Sequence, residues 1–183
     1  ALGLHNSDGN ECVIEAIESY KIFSDLLFTH ASPTLFNSGT KRQQNSSCFL
    51  LSMDDSLENI METVGNTAQI SKFAGGIGLN VGDIRGKNSI IKGTGGKTES
   101  IIPMLRLFND IGRYVNQGGK RKGSIAVYLP TNHPDIMEFL DIRKNTGDEN
   151  LRARDLFSAL WISDYFMECV ENDLDWDLLS ADE

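Results

Sequence analysis

Phe49-Leu50-Leu51-Ser52, the segment Asp55 to Ile70, and Ile77-Gly78-Leu79-Asn80-Val81 decide the fold of this chain. The first is a short continuous apolar run, as a buried strand requires. Asp55 can cap a helix after it, with Glu58 three residues on completing a box-like pair. Leu57, Ile60, Val64, Ala68 and Ile70 make that helix's apolar stripe, and residues 77–81 read as a second strand. Outward from this unit the alternation continues. Ser100 opens a helix with Ile101, Met104, Leu105, Phe108 and Ile111 on one face, and Ile125 to Leu129 is a buried-strand run. Pro134 fits a first helical position, with the helix running to about Lys144. Leu156 to Ile162 is a further strand, and Ser163 caps a last helix. Upstream, residues 11–28 carry a helical apolar face. Strands alternating with helices predict an α/β fold with a largely parallel sheet.

Composition narrows the function. With 26 acidic against 17 basic residues the net charge is −9, which argues against binding nucleic acid or an anionic membrane. No apolar run approaches the roughly 20 residues of a membrane span. Cys12, Cys48 and Cys169 are odd in number and far apart, with neither a disulfide framework nor zinc-ligand spacing. A cytoplasmic protein without a bound metal is expected. Ala1 opens the chain with no Met before it, as expected of a piece of a longer chain.

One cysteine stands out. Ala31-Ser32-Pro33-Thr34 and Asn45-Ser46-Ser47-Cys48 put small hydroxyl residues and a thiol at the mouth of the first strand. Hydroxyls and exposed backbone N–H groups suit phosphate oxygens, and a thiol beside them is placed to act on what the phosphates anchor. A buried structural cysteine is the alternative. Two glycine-rich stretches fail as nucleotide fingerprints. Gly93 to Thr98 ends like a P-loop, but Ile91 stands where the first glycine must be, and no strand enters it. Ala74 to Gly78 leads into a strand rather than out of one. The loop at 82–99 is long enough to be a functional candidate. His5, His30 and His133 lack metal or acid–base spacing and read as structural.

Taken together, Thr29 to Asn37, Ser46 to Met53, Ile70 to Gly78, Ile90 to Thr94, Asn116 to Arg121, Asp141 to Gly147 and Arg152 to Phe157 resemble the large, catalytic subunit of class I ribonucleotide reductase, in order and over essentially the whole chain. The resemblance implies the first five-stranded half of a ten-stranded α/β barrel. Residues 1–44 would end the preceding helical region, and 45–183 would form the half barrel. Cys48 would be one of the redox pair that reduces the ribose. Ser32, Ser47, Gly76 and Arg121 would contact a ribonucleoside diphosphate. Asp55, Ser56, Leu57, Lys72, Arg85, Lys92, Gly93 and Gln117 would hold a deoxynucleoside triphosphate or ATP effector at a homodimer interface. Gln117 to Gly123 resembles the loop that couples effector to substrate.

By the same resemblance the segment binds no cofactor itself, and a metal-containing small subunit supplies the radical. No Asn-x-Cys-x-Glu pattern of the radical-bearing cysteine occurs here, nor a redox partner for Cys48. Activity therefore needs the remainder of the large subunit. A non-catalytic deoxynucleotide-binding module that dimerises is the alternative.

Overall fold

A computed structural model describes residues 9–41, 43–73, 75–91, 93, 95–115 and 123–180. It divides into two compact units, Ala1–Ser47 and Cys48–Glu183.

The first unit holds helices α1 (Gly9–Ser24) and α2 (Ser32–Asn37). Helix α1 ends four residues before the sequence reading put its end, because Leu26 adopts a left-handed conformation, with φ of 58°. The rings of Phe23, Phe28 and His30 cluster behind that turn, with centroids 4.9–5.8 Å apart. The apolar pattern did not announce α2, whose signal is Pro33 in the first helical turn. Thr34 Oγ1 and Asn37 Nδ2 donate to the carbonyls of Asn45 and Gln44, which ties the returning chain to this helix.

The second unit is built on four strands: β1 (Cys48–Ser52), β2 (Gly76–Asn80), β3 (Ile125–Pro130) and β4 (Phe157–Trp161). They lie in sequence order, and every neighbouring pair is parallel. These are the four strands of the sequence reading; a fifth is not among the described residues. Parallel neighbours need a crossover, which α3 (Leu57–Lys72) and α4 (Ile102–Val115) supply. Ile77, Leu79, Ile125, Val127 and Leu129 point to the helix-covered face and are buried with Leu105 and Phe108 of α4. The alternate residues face the other way. There Leu50 is 87% exposed and Trp161 69%. Parallel sheets are normally covered on both faces, so this face lacks its second layer in the described chain.

In this unit the start of α3 and both ends of α5 depart from the sequence reading. Ser56, not Asp55, caps α3: its hydroxyl accepts from the Asn59 amide, and the Asn59 side chain accepts from the Asp54 amide. Asp55 is thereby released for another partner. Removing the cap hydroxyl in Ser56→Ala is expected to cost about 1 kcal/mol, seen without ligand as roughly fivefold faster amide exchange in the first turn of α3. Leu57 is 65% exposed, but Ile60, Val64 and Ile70 of the expected stripe pack against the core, beside the fully buried Thr63, Thr67 and Ser71. Helix α5 is Ile136–Leu140, shorter at both ends than expected. Its last turn tightens as the amides of Asp141 and Ile142 reach the carbonyls of Glu138 and Phe139. The Ala153 amide then takes the carbonyl of Ile142.

Ser100 and Ser163 stand at the starts of α4 and α6 (Asp164–Glu171) as expected, accepting from the amides of Ile102 and Phe166. After α6 the chain turns back, and Trp176 Nε1 donates to the Thr131 carbonyl beyond β3. The described residues of the segment 82–99 fold back on themselves as a ribbon. Ile90 and Lys97 form an antiparallel bridge, flanked by hydrogen bonds from the Asn88 amide to the Thr98 carbonyl and from the Thr98 amide to the Ser89 carbonyl. No helix among the described residues is long and apolar enough to cross a membrane.

Candidate functional site

Because all four strands run the same way, their starts share one edge of the sheet and their ends share the other. The candidate residues of the second unit divide between these edges, about 13 Å apart at the rise of a five-residue strand.

Cys48 opens β1 at the first edge, exposed on the uncovered face. The sheet register sets it beside Gly76, the first residue of β2. A glycine there adds no side chain of its own next to the thiol. The preceding Gly75 is hemmed in, since a Cβ on it would lie 2.6 Å from Ile70 and 2.8 Å from Phe49. The backbone at this edge is therefore fixed by packing from below. Gly123, the last residue of the stretch Gln117 to Gly123, sits against the Gly75 carbonyl and Ser71. Along the same uncovered face lies a cavity of about 660 Å³, lined by Leu50, Ser52, Gly78, Asn80, Tyr128 and Trp161 among others. That is large enough for a nucleotide-sized ligand.

At the second edge, Asp55 follows β1 and Arg85 follows β2. The Arg85 guanidinium pairs through Nε with the Asp55 carboxylate, while Nη2 reaches the Asp55 carbonyl at 3.4 Å. Nη1 donates to the Ile90 carbonyl at 3.0 Å, so one side chain joins the end of β1 to the ribbon. Both partners are partly shielded, their side chains 21% and 27% exposed. Ser56 and Leu57 continue from Asp55 at the start of α3, and Gly93 lies on the ribbon. Nearby, a hydrogen bond from Ser100 and then the Lys87 ammonium hold the Glu138 carboxyl below its usual range. Lys87, paired with Glu138 at 3.0 Å, is raised in return.

Lys72 does not join this group. It ends α3, exposed, with its ammonium 5.7 Å from the centre of the Phe73 ring. A 16-residue helix spans about 24 Å. Asp55 and Lys72 therefore mark opposite ends of α3, and Lys72 lies toward the edge that carries Gly76. Ser32 belongs to the first turn of α2 in the first unit, and Ser47 ends that unit. Lys92, Gln117 and Arg121 lie outside the described residues. Sequence reading passed over the Ile90 carbonyl and the seating of Gly123. Neither has a sequence signal, since both contacts come from the pairing of distant segments.

Comparison with known proteins places this arrangement. Residues 46–183 match the family described as ribonucleotide reductase, barrel domain. The large subunit of ribonucleoside-diphosphate reductase from Plasmodium falciparum (isolate Dd2) is 56% identical over 185 aligned positions, which take in 100% of this chain and 22% of that protein. The large chain of the Cryptosporidium parvum enzyme is 54% identical, over 99% of this chain and 22% of its own length. The Vaccinia virus (strain Copenhagen) large subunit is 55% identical, over 100% of this chain and 24% of its own. The chain thus spans less than a quarter of the length of these relatives. A match running from the residues just before β1 to the last residue, over a parallel sheet with one uncovered face, makes this chain a member of the ribonucleotide reductase barrel-domain family.

Proposed function

We propose that this chain is part of a ribonucleoside-diphosphate reductase large subunit and supplies one redox cysteine, substrate contacts and an effector site to that enzyme. The observation that carries the reading is Cys48: a thiol at the start of β1, exposed on the uncovered sheet face beside a glycine, within the family match.

The reaction replaces the 2′ hydroxyl of a ribonucleoside diphosphate by hydrogen. A thiyl radical elsewhere in the barrel removes the 3′ hydrogen, and the 2′ oxygen leaves as water. Cys48 and a second thiol supply two electrons and become a disulfide, and the 3′ hydrogen is returned. An external dithiol resets the pair. Ser32, Ser47, the Gly76 backbone and Arg121 hold the substrate while this happens. The radical comes from a metal-containing small subunit, and the site of action is cytoplasmic.

Asp55, Ser56, Leu57, Arg85, Lys92 and Gly93 hold the effector, a deoxynucleoside triphosphate or ATP. The Asp55–Arg85 pair supports this reading, because it sets a carboxylate and a guanidinium together where sugar and phosphate need an acceptor and donors. The length of α3 supports a site shared between two copies. A nucleotide at the Asp55 end reaches a Lys72 only if a second α3 runs antiparallel to the first. Lys72, and Gln117 on the coupling loop, then belong to the other copy. The same pair also favours the second reading, a dimeric effector-binding module with no chemistry of its own.

Complementation separates the two. This chain, co-expressed with the remainder of the large subunit and mixed with the small subunit and a dithiol, is expected to convert CDP to dCDP. Effector binding without turnover, both in that mixture and in the full-length subunit, would leave only the regulatory module.

A further inference from the structure

His133, Pro134 and Asp135 follow β3 at the same edge as Asp55 and Arg85, and the effector reading gives them no role. His133 and Asp135 are 1% and 3% exposed. Each of the three residues grips the β2–α4 connection at a different point. The Asp135 amide donates to His133 Nδ1 at 3.1 Å, so the ring proton sits on Nε2, which donates to the Ile84 carbonyl at 2.8 Å. Pro134 packs on Gly86, where a Cβ would lie 2.7 Å away, so only glycine fits beneath it. The Asp135 carboxylate accepts from the Lys87 amide at 3.0 Å and the Ile101 amide at 2.9 Å. It thereby ties the beginning of the connection to its end at the start of α4. Thr98 Oγ1 closes the ribbon on the Gly86 carbonyl at 2.6 Å.

Arg85 is the residue between these grips. Its neighbour Ile84 is held by His133, and Gly86 and Lys87 are held by Pro134 and Asp135. A guanidinium that must meet both the Asp55 carboxylate and the Ile90 carbonyl depends on that backbone being fixed. We propose that His133 and Asp135 are positioning residues for the effector site: without touching the nucleotide, they set its affinity through the placement of Arg85. This rests on the reading of Asp55 and Arg85 as effector contacts.

A double-mutant cycle in the full-length large subunit tests it, with dTTP as the probe. Asp135→Asn leaves one of the two amides facing a donor instead of an acceptor, and is expected to weaken dTTP binding about tenfold. Because the effect passes through Arg85, Asp135→Asn is expected to add nothing further in an Arg85→Ala background, and the effector-free KM for CDP is expected to stay unchanged. A generally loosened structure would instead give losses that multiply in the double variant and a raised KM, and either result overturns the proposal. Unchanged dTTP affinity in Asp135→Asn with a clear loss in Arg85→Ala overturns the positioning role alone. Unchanged affinity in Arg85→Ala overturns the effector reading and this proposal with it. If Asp135→Asn does not fold, His133→Phe, which removes the bond to Ile84, carries the same cycle.

Discussion

Cys48→Ser is expected to abolish multiple turnover with a dithiol reductant, by on the order of a thousandfold or more. Serine fills nearly the same space on the uncovered face, so neither the sheet register with Gly76 nor the packing beneath Gly75 is disturbed. What it cannot do is donate electrons and close a disulfide. Affinity for dTTP is expected to remain at the parental value, because Asp55 and Arg85 lie at the other edge of the sheet. Steady-state dCDP formation and a dTTP titration on one preparation check both halves. Sustained turnover in the serine variant would remove Cys48 from the redox pair.

Asp55→Ala is expected to weaken dTTP binding by about thirty- to a hundredfold, while effector-free CDP binding holds. The change takes away an acceptor for the nucleotide and leaves the Arg85 guanidinium without its carboxylate in a partly shielded site. Asp55→Asn keeps the shape and one acceptor, so its loss should be smaller. Equal titrations for parent and alanine variant would put Asp55 outside the site. The structure sharpens this expectation, because with Ser56 as the cap of α3 the alanine variant does not also remove the cap.

The strands were legible because each is a short apolar run bounded by polar or glycine-rich sequence. The run at 156–162 became Phe157–Trp161, and Ile125–Leu129 extended by one residue. Helix faces were legible where burial follows hydrophobicity, as on α4, where Leu105 and Phe108 are buried, with Ile101 just before the helix. On α3 the face was legible in part: Ile60, Val64 and Ile70 pack against the core, but Leu57 turns outward and Thr63, Thr67 and Ser71 are the fully buried residues. A period-based reading follows apolar residues, and so it missed the small hydroxyl residues that α3 buries alongside them. The candidate residues were named from motifs, but their grouping was not legible. Asp55 and Arg85 are 30 residues apart and meet only because β1 and β2 are parallel neighbours whose ends share an edge. The clasp around Arg85 was hidden for the same reason. His133 reads as an ordinary buried histidine until the Ile84 carbonyl is seen beside it.

The uncovered face of the sheet bears on how such a protein is made. On the proposed function it is closed by strands from the remainder of the large subunit, and its apolar residues wait for any of these that are translated later. At about 5–20 residues per second, every further hundred residues of synthesis leaves Leu50, Phe157 and Trp161 in water for roughly 5–20 seconds. Closure then depends on contacts of high sequence separation, which form slowly. On that reading, a chain still waiting for its covering layer is expected to be a client for chaperones during that interval.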